Sequence, residues 1–335
     1  MIEKKNQYFY SLDLFRGFCG YGVAITHLYA FVFENFFMEY LSFLFVEFFF
    51  VLSGFVLYPQ LLKVLNNKKN LLKFYQRRWL RTLPLYFISL LLVSILTNNI
   101  FTLDFFKYLT LTQNIIPNFI SDSYYPIAWS LSIEEMFYLL FPIFLIKVNS
   151  KNFITYAFFI FIFILICKLF LAPYVESNYY RTGTFLRLDA ILLGFILCHF
   201  KNYIIKRHFI ILSSCVLLLF IYFTNYNFFI LNKHISIINV TFILLMQFTS
   251  ISVMLAFIQL ESLLVNKILK KCCTLISNQT YSIYLLHIIF IYILKEINYG
   301  VYFTSFIYIL LLFLTSSLVY KFFEKPILRL RPKLI

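Results

Sequence analysis

Several ionisable residues of this chain lie inside runs of Leu, Ile, Val and Phe, where an uncompensated charge costs several kcal/mol. Asp13, Arg16 and His27 fall in one such run and Glu47 in the next. Glu134 and Glu135 fall in a later one, and Arg187 and Asp189 in another. Charges retained in such surroundings read as the lining of a polar route or site. Arg16 and His27 are eleven positions apart. At 100° per residue they share nearly one helical face, about 16 Å apart along the axis. Gly17 and Gly20 border that stripe and would let a neighbouring helix approach closely. Ser132, Glu135 and Tyr138 recur at every third position and make a second polar stripe, with Ser130 beside it. A histidine near a carboxylate suits general-base chemistry, and paired arginines such as Arg78 and Arg81 suit phosphate recognition.

The elements that must position these groups are set by composition. Of 335 residues, 62% are hydrophobic and 13% charged, and mean hydropathy is +0.84. A soluble domain of this length carries roughly a quarter charged residues, so the bilayer is the expected solvent. Apolar runs of about 20 residues occur at 11–33, 38–60, 80–97, 128–147, 153–171, 184–200, 208–225, 237–259, 278–295 and 302–323. The expectation is an all-α integral membrane protein with about ten transmembrane helices, one domain over 1–335 and both termini cytosolic. The stretch 104–117 reads as a short re-entrant or interfacial piece, and the first run, lacking a small-residue cleavage site, as a retained helix. With this topology Lys4, Lys5, Lys63–Arg81, Lys151, Lys201, Lys206 and Lys325–Lys333 gather inside. Lys107, Arg181, Lys233 and Lys295 fall outside. That asymmetry follows the positive-inside rule. The net charge of +15 is thus a topology signal that also attracts anionic lipid, and it argues against a nucleic-acid partner. The six cysteines form neither a disulfide framework nor a metal-ligand pattern, so no metal is expected.

Depth links two candidates. His27 lies about six residues below the outer end of its helix, and Glu135 about seven below the outer end of a helix running the other way. Both therefore lie roughly 10 Å inside the outer surface. They can form a base and its orienting partner, with Glu134 the alternative carboxylate. Structural readings stand beside these. His287 reads as an inter-helix hydrogen-bonder, Asp13–Arg16 as an ion pair, Lys168 as a snorkelling cation, and Arg77, Arg78 and Arg81 as topology determinants.

The segments also fall into a known order. Leu12-Asp13-Leu14-Phe15-Arg16-Gly17 with His27 resembles the opening motif of the acyltransferase-3 family. Val46-Glu47-Phe48-Phe49-Phe50-Val51-Leu52-Ser53-Gly54-Phe55 resembles its second-helix signature, and Phe74-Tyr75-Gln76-Arg77-Arg78-Trp79-Leu80-Arg81-Thr82-Leu83-Pro84 its cytosolic arginine motif. Trp129–Tyr138, Tyr281–His287 and Phe323-Glu324-Lys325-Pro326 resemble its later blocks. Leu14 stands where Gly is usual, and Glu47 where Asp is usual. The fused esterase-like domain of some relatives is not seen.

This resemblance implies an O-acyltransferase of the bacterial inner membrane. It would move an acyl group, by family habit acetyl, from cytosolic acetyl-CoA to an extracytoplasmic or lipid-linked glycan such as O-antigen or capsule precursor. Arg78 and Arg81 would then hold the phosphates of coenzyme A, and Arg16 would line the pantetheine passage. His27 would act as base, and Glu135 or Glu134 as its partner. Asp13, Glu47, Ser130, Ser132, Tyr138, Arg187 and Asp189 would line the substrate path. A rival reading from the residues alone is a polytopic transporter or flippase using the same Arg, His and Glu as a relay. The paired halves with broken helices common in transporters are not evident.

Overall fold

The computed structural model describes residues 8–121, 123–148, 152–171, 174–175, 177–224, 236–295 and 300–334. Among them every regular element is helical. In chain order they are α1 (Tyr10–Phe31), α2 (Phe36–Asn66), α3 (Asn70–Leu96), α4 (Leu103–Leu109), α5 (Ala128–Ile146), α6 (Phe153–Leu171), α7 (Ser177–Thr182), α8 (Leu188–Ile204), α9 (His208–Thr224), α10 (Ser236–Gln259), α11 (Lys267–Lys295), α12 (Val301–Val319) and α13 (Lys325–Arg329). A 3-10 turn, Leu260–Leu263, follows α10, and a π-helical turn, Tyr320–Glu324, joins α12 to α13. Lys4, Lys5, Lys151, Lys233 and residue 225, used in the topology argument, lie outside the described residues.

Each of the ten expected apolar runs coincides with a helix. Among the described residues, six helical spans are long and apolar enough to cross a membrane by length and composition. They are Phe36–Asn66, Asn70–Leu96, Ala128–Ile146, Phe153–Leu171, Val240–Leu263 and Val301–Arg329. The other four expected runs fall short of that measure. α8 and α9 have 17 residues each, and α1 and α11 are diluted by the polar side chains that make them interesting. α3 begins ten residues before its expected start, so Arg77, Arg78 and Arg81 ride on a continuous helix. The 104–117 stretch contains α4, whose first turn is capped by Thr102 Oγ1 accepting from Phe105 N at 3.1 Å.

α1 lies between α2 and α11, α2 also packs on α8, α8 on α6, and α11 on α12. Two of these contacts depend on glycine. A Cβ at Gly54 would lie 1.9 Å from the carbonyl oxygen of Ile191, and one at Gly194 would lie 1.9 Å from that of Val51. The α2 and α8 backbones therefore touch. On α1, a Cβ at Gly17 would meet Ile276 Cγ2 at 2.2 Å and one at Gly20 would meet Thr280 Cγ2 at 2.6 Å. The small-residue stripe thus receives α11, as its position beside Arg16 and His27 suggests. The α6 and α12 spans are the least enclosed, with 22% and 17% of their apolar windows buried. Their exposed Phe159, Phe163, Phe303 and Phe306 mark them as lipid-facing.

Lys168 corrects an expectation. It does not snorkel outward but is fully buried and ion-paired with Asp189. α6 packs against α8, so the ammonium finds a carboxylate inside the bundle before it can reach an interface. Beside it Arg187 pairs with Glu47, also fully enclosed. Four charges from α2, α6 and the start of α8 thus pair with one another inside the bundle.

Candidate active site

A cavity of about 1560 Å³ runs through the bundle. At one end it is lined by Lys201, Lys206, Arg77, Arg78, Arg81 and Arg331. At the other it reaches Val46, Ser130 and Tyr284. The geometry of α5 decides which of its polar residues face this space. Ser130, Glu134 and Tyr138 line it at four-residue spacing, whereas Ser132 and Glu135 do not. Ser132 instead meets Thr184 Oγ1 at 3.1 Å. Glu135 Oε1 accepts from Thr82 Oγ1 of α3 at 2.5 Å.

The carboxylate and arginine groups along the cavity are held by neighbours. Tyr138 donates to Glu134 Oε2 at 3.0 Å, and Ser53 Oγ lies 3.1 Å from the Tyr138 hydroxyl. The Arg78 guanidinium lies over the rings of Tyr138 and Phe74, 5.3 and 5.7 Å from their centroids. Asp13 and Arg16 are joined by Ser277 of α11. Its hydroxyl donates to Asp13 Oδ1 at 2.8 Å and accepts from Arg16 Nη1 at 3.2 Å. Tyr8 donates to the other Asp13 oxygen. This network points the Arg16 side chain into the cavity wall.

Beyond the inner end of the cavity lie two histidines. His27 Nδ1 is 2.9 Å from His287 Nε2, and the rings stack with centroids 5.1 Å apart. His287 Nδ1 is 2.7 Å from the carbonyl oxygen of Tyr284. A carbonyl only accepts, so His287 carries its proton on Nδ1 and presents a bare Nε2. His27 must then donate from Nδ1, which leaves its own Nε2 as an unprotonated lone pair. That nitrogen takes no hydrogen bond among the described residues. The Tyr284 ring, which lines the cavity, has its centroid 5.9 Å from that of His287. Its hydroxyl is 2.5 Å from Ser130 Oγ. This α5–α11 contact stands between the cavity and the histidines.

The expected His27–Glu135 pair does not form. The expectation rested on equal depth, and depth fixes no azimuth. α1 packs on α11 and not on α5, so His287 is the group that comes to His27, and Glu135 turns toward α3. Glu47, Arg187 and Asp189 do not line the cavity either, being committed to the buried ion pairs. Arg181, read as an outer-loop cation, places its guanidinium 3.9 Å from the Phe43 ring centroid and 5.1 Å from that of Trp129. It is within electrostatic reach of His27 and Tyr284. Sequence reasoning gave no role to Arg181, Tyr284, Thr82 or Ser277, and took His287 as structural. The depth argument applied to Glu135 would have found His287, which sits about eight residues from the end of α11. No group of three or more His, Cys, Asp or Glu that could hold a metal ion occurs among the described residues.

Comparison with known proteins bears on what this arrangement serves. Residues 9–320 match the acyltransferase-3 family profile, described as an acyltransferase domain. The O-acetyltransferase OatA of Staphylococcus aureus is 28% identical over 367 aligned positions, covering 96% of this chain and 57% of OatA. An uncharacterised protein of Haemophilus influenzae is 27% identical over 183 positions, covering 47% of this chain and 75% of its own. The chain thus spans little more than half the length of OatA. No solved structure matches it. With this match over residues 9–320 laid over a helical bundle that has six apolar spans of membrane-crossing length, the chain belongs to the acyltransferase-3 family.

Proposed function

We propose that the protein is an O-acyltransferase that takes an acyl group, acetyl in the first instance, from acyl-CoA on the cytosolic side. It would deliver the group to a hydroxyl of a glycan, lipid-linked or extracytoplasmic, at the outer side of a bacterial inner membrane. The observation that carries this reading is the cavity itself. It leads from an arginine-rich end to Tyr284, whose ring neighbours His287, and His287 in turn holds His27 in the tautomer that leaves Nε2 free to act as a base. In this reading the ten helices that match the apolar runs all cross the bilayer, with both termini and the basic end of the cavity in the cytosol. The name of OatA supports acetyl as the group and oxygen as the acceptor atom.

The nucleotide of the donor sits among Arg77, Arg78 and Arg81, and the pantetheine arm runs past Arg16 and Ser53 toward Tyr284. The thioester then meets His27 once Tyr284 and Ser130 give way. His27 Nε2 takes the proton of the glycan hydroxyl as its oxygen attacks the thioester carbonyl. The C–O bond forms, the C–S bond breaks, and the imidazolium returns the proton to the departing CoA thiolate. His287 holds the His27 ring and accepts from its Nδ1–H throughout, the part expected of Glu135. Glu135 instead braces α5 against α3 through Thr82, and Glu134 with Tyr138 shapes the cavity wall beside Arg78. Glu47, Arg187, Lys168 and Asp189 hold the scaffold.

Purified protein in liposomes, given labelled acetyl-CoA and a membrane glycan extract, tests this. Wild type should release CoA and label the glycan. A His27→Ala variant that inserts normally should lose about 10²–10⁴-fold in rate. Full activity in that variant would sink the mechanism, and transport of label without CoA release would favour a carrier.

A further inference from the structure

The guanidinium cluster at the basic end of the cavity includes one member from outside the family match, which stops at residue 320. After α13 the segment 330–334 folds back over the start of α3. Arg77 Nη1 donates to the carbonyl oxygen of Pro332 at 2.8 Å, and Lys63 Nζ to that of Leu334 at 3.4 Å. These contacts set Arg331 into the cavity lining beside Arg77, Arg78 and Arg81. Arg331 Nε and Nη2 are buried and have no hydrogen-bond partner among the described residues, and the same holds for Nε of Arg77 and of Arg78. Charged donors enclosed without acceptors are costly unless an anion meets them. Glu324 and Glu134 are the carboxylates within electrostatic reach of the cluster; Glu324 Oε1 already accepts from Ser282 and Glu134 Oε2 from Tyr138. Burial first, and then the charges of Arg81, Arg78 and Arg77, hold the Arg331 guanidinium down to about 9, with Glu324 opposing. Among the described residues, guanidinium groups therefore outnumber carboxylates in this cluster.

We infer that Arg331 is a donor-binding residue, which with Arg78 and Arg81 grips the diphosphate of the acyl-CoA nucleotide. Guanidinium forks suit phosphate oxygens. The cavity, about 1560 Å³, exceeds the roughly 300–1,000 Å³ of a pocket for a drug-sized ligand, so inorganic phosphate would leave it mostly empty. Its inner walls are apolar, with Leu12, Phe49, Phe50 and Leu52 among them. A diphosphate carrying a long uncharged arm matches both features. The segment 330–334 acts as a strap whose position at the mouth is set by Arg77 and Lys63.

This inference rests on the acyl-CoA reading above, and binding measurements on the purified full chain separate the two. If wild type binds neither CoA nor 3′-dephospho-CoA, the acyl-CoA reading itself fails. If wild type binds, Arg331→Ala should weaken both ligands by about tenfold or more, since both contain the diphosphate. Arg331→Lys should fall between the two, and thermal unfolding of the free variants should match wild type. Unchanged CoA affinity in Arg331→Ala would overturn the role of Arg331. A loss confined to CoA, sparing dephospho-CoA, would overturn the diphosphate assignment.

Discussion

His287→Leu removes the acceptor for the His27 Nδ1 proton while keeping an apolar side chain against Tyr284. The lost contact is a hydrogen bond between neutral imidazoles at 2.9 Å, worth about 0.5–1.5 kcal/mol net. If that energy serves only to hold the ring and its tautomer, kcat should drop by about 2- to 10-fold. The KM for acetyl-CoA should stay constant, because His287 does not line the cavity. Loss of the base itself, in His27→Ala, is worth about 10²–10⁴-fold, so the two effects are separable. His287→Gln can place an amide oxygen where Nε2 now accepts and should recover much of the loss. The double variant His27→Ala/His287→Leu should match His27→Ala alone, since an orienting group has nothing left to orient. CoA release followed by mass spectrometry in proteoliposomes reads all four proteins. A double variant clearly slower than His27→Ala, or a Gln variant no better than Leu, would refute the positioning argument. The first result would make His287 an independent participant in proton transfer.

Arg187→Met should strand the Glu47 carboxylate and lower stability by about 3–5 kcal/mol, whereas Glu47→Leu/Arg187→Met together should recover most of it. Recovery of the folded yield with activity still lost would instead place the pair at a substrate. Gly54→Ala drives a methyl against the Ile191 carbonyl 1.9 Å away and should lower stability by about 1–3 kcal/mol, read as a drop in Tm in detergent. An unchanged Tm would mean that the helices part freely there. Arg78→Ala should raise the KM for acetyl-CoA about tenfold with little change in kcat. A fall in kcat alone would remove Arg78 from donor binding.

The helical segments were legible because each apolar run is long and is broken by charge, Asn or Pro, so periodicity was not needed. Depth along each helix was legible in the same way, and it separated His27 from Arg78 along the chain of helices. Direction around each helix was not. Ser132, Glu135 and Tyr138 do not share one face of α5, since Tyr138 joins Ser130 and Glu134 on the cavity while the other two turn away, and each meets a different neighbour. Thr184 meets the first, α3 the second, and Ser53 of α2 the third. A stripe read from spacing has no partner until helix packing supplies one, and α1 chose α11. The glycines were the available clue. Gly17 and Gly20 marked a close neighbour, but nothing in one sequence says which helix that is. The buried ion pairs were half legible. Each charge was visible as out of place, but the partners of Glu47 and Lys168 lie 140 and 21 residues away, beyond any local pattern.

The glycine crossing of α2 and α8 also bears on how the protein can deform. Backbones in direct contact leave no side-chain layer to compress or slide, so these two helices behave as one stiff post. Ser53 and Phe50 of α2 stand on that post and line the cavity, which makes this wall a fixed edge. Any widening to admit a bulky ligand must come from the facing side. There α3 and the 330–334 segment are joined by a hydrogen bond through Arg77, which breaks and reforms far more readily than interlocked backbones separate. The cavity is thus built like a jaw with one immovable side.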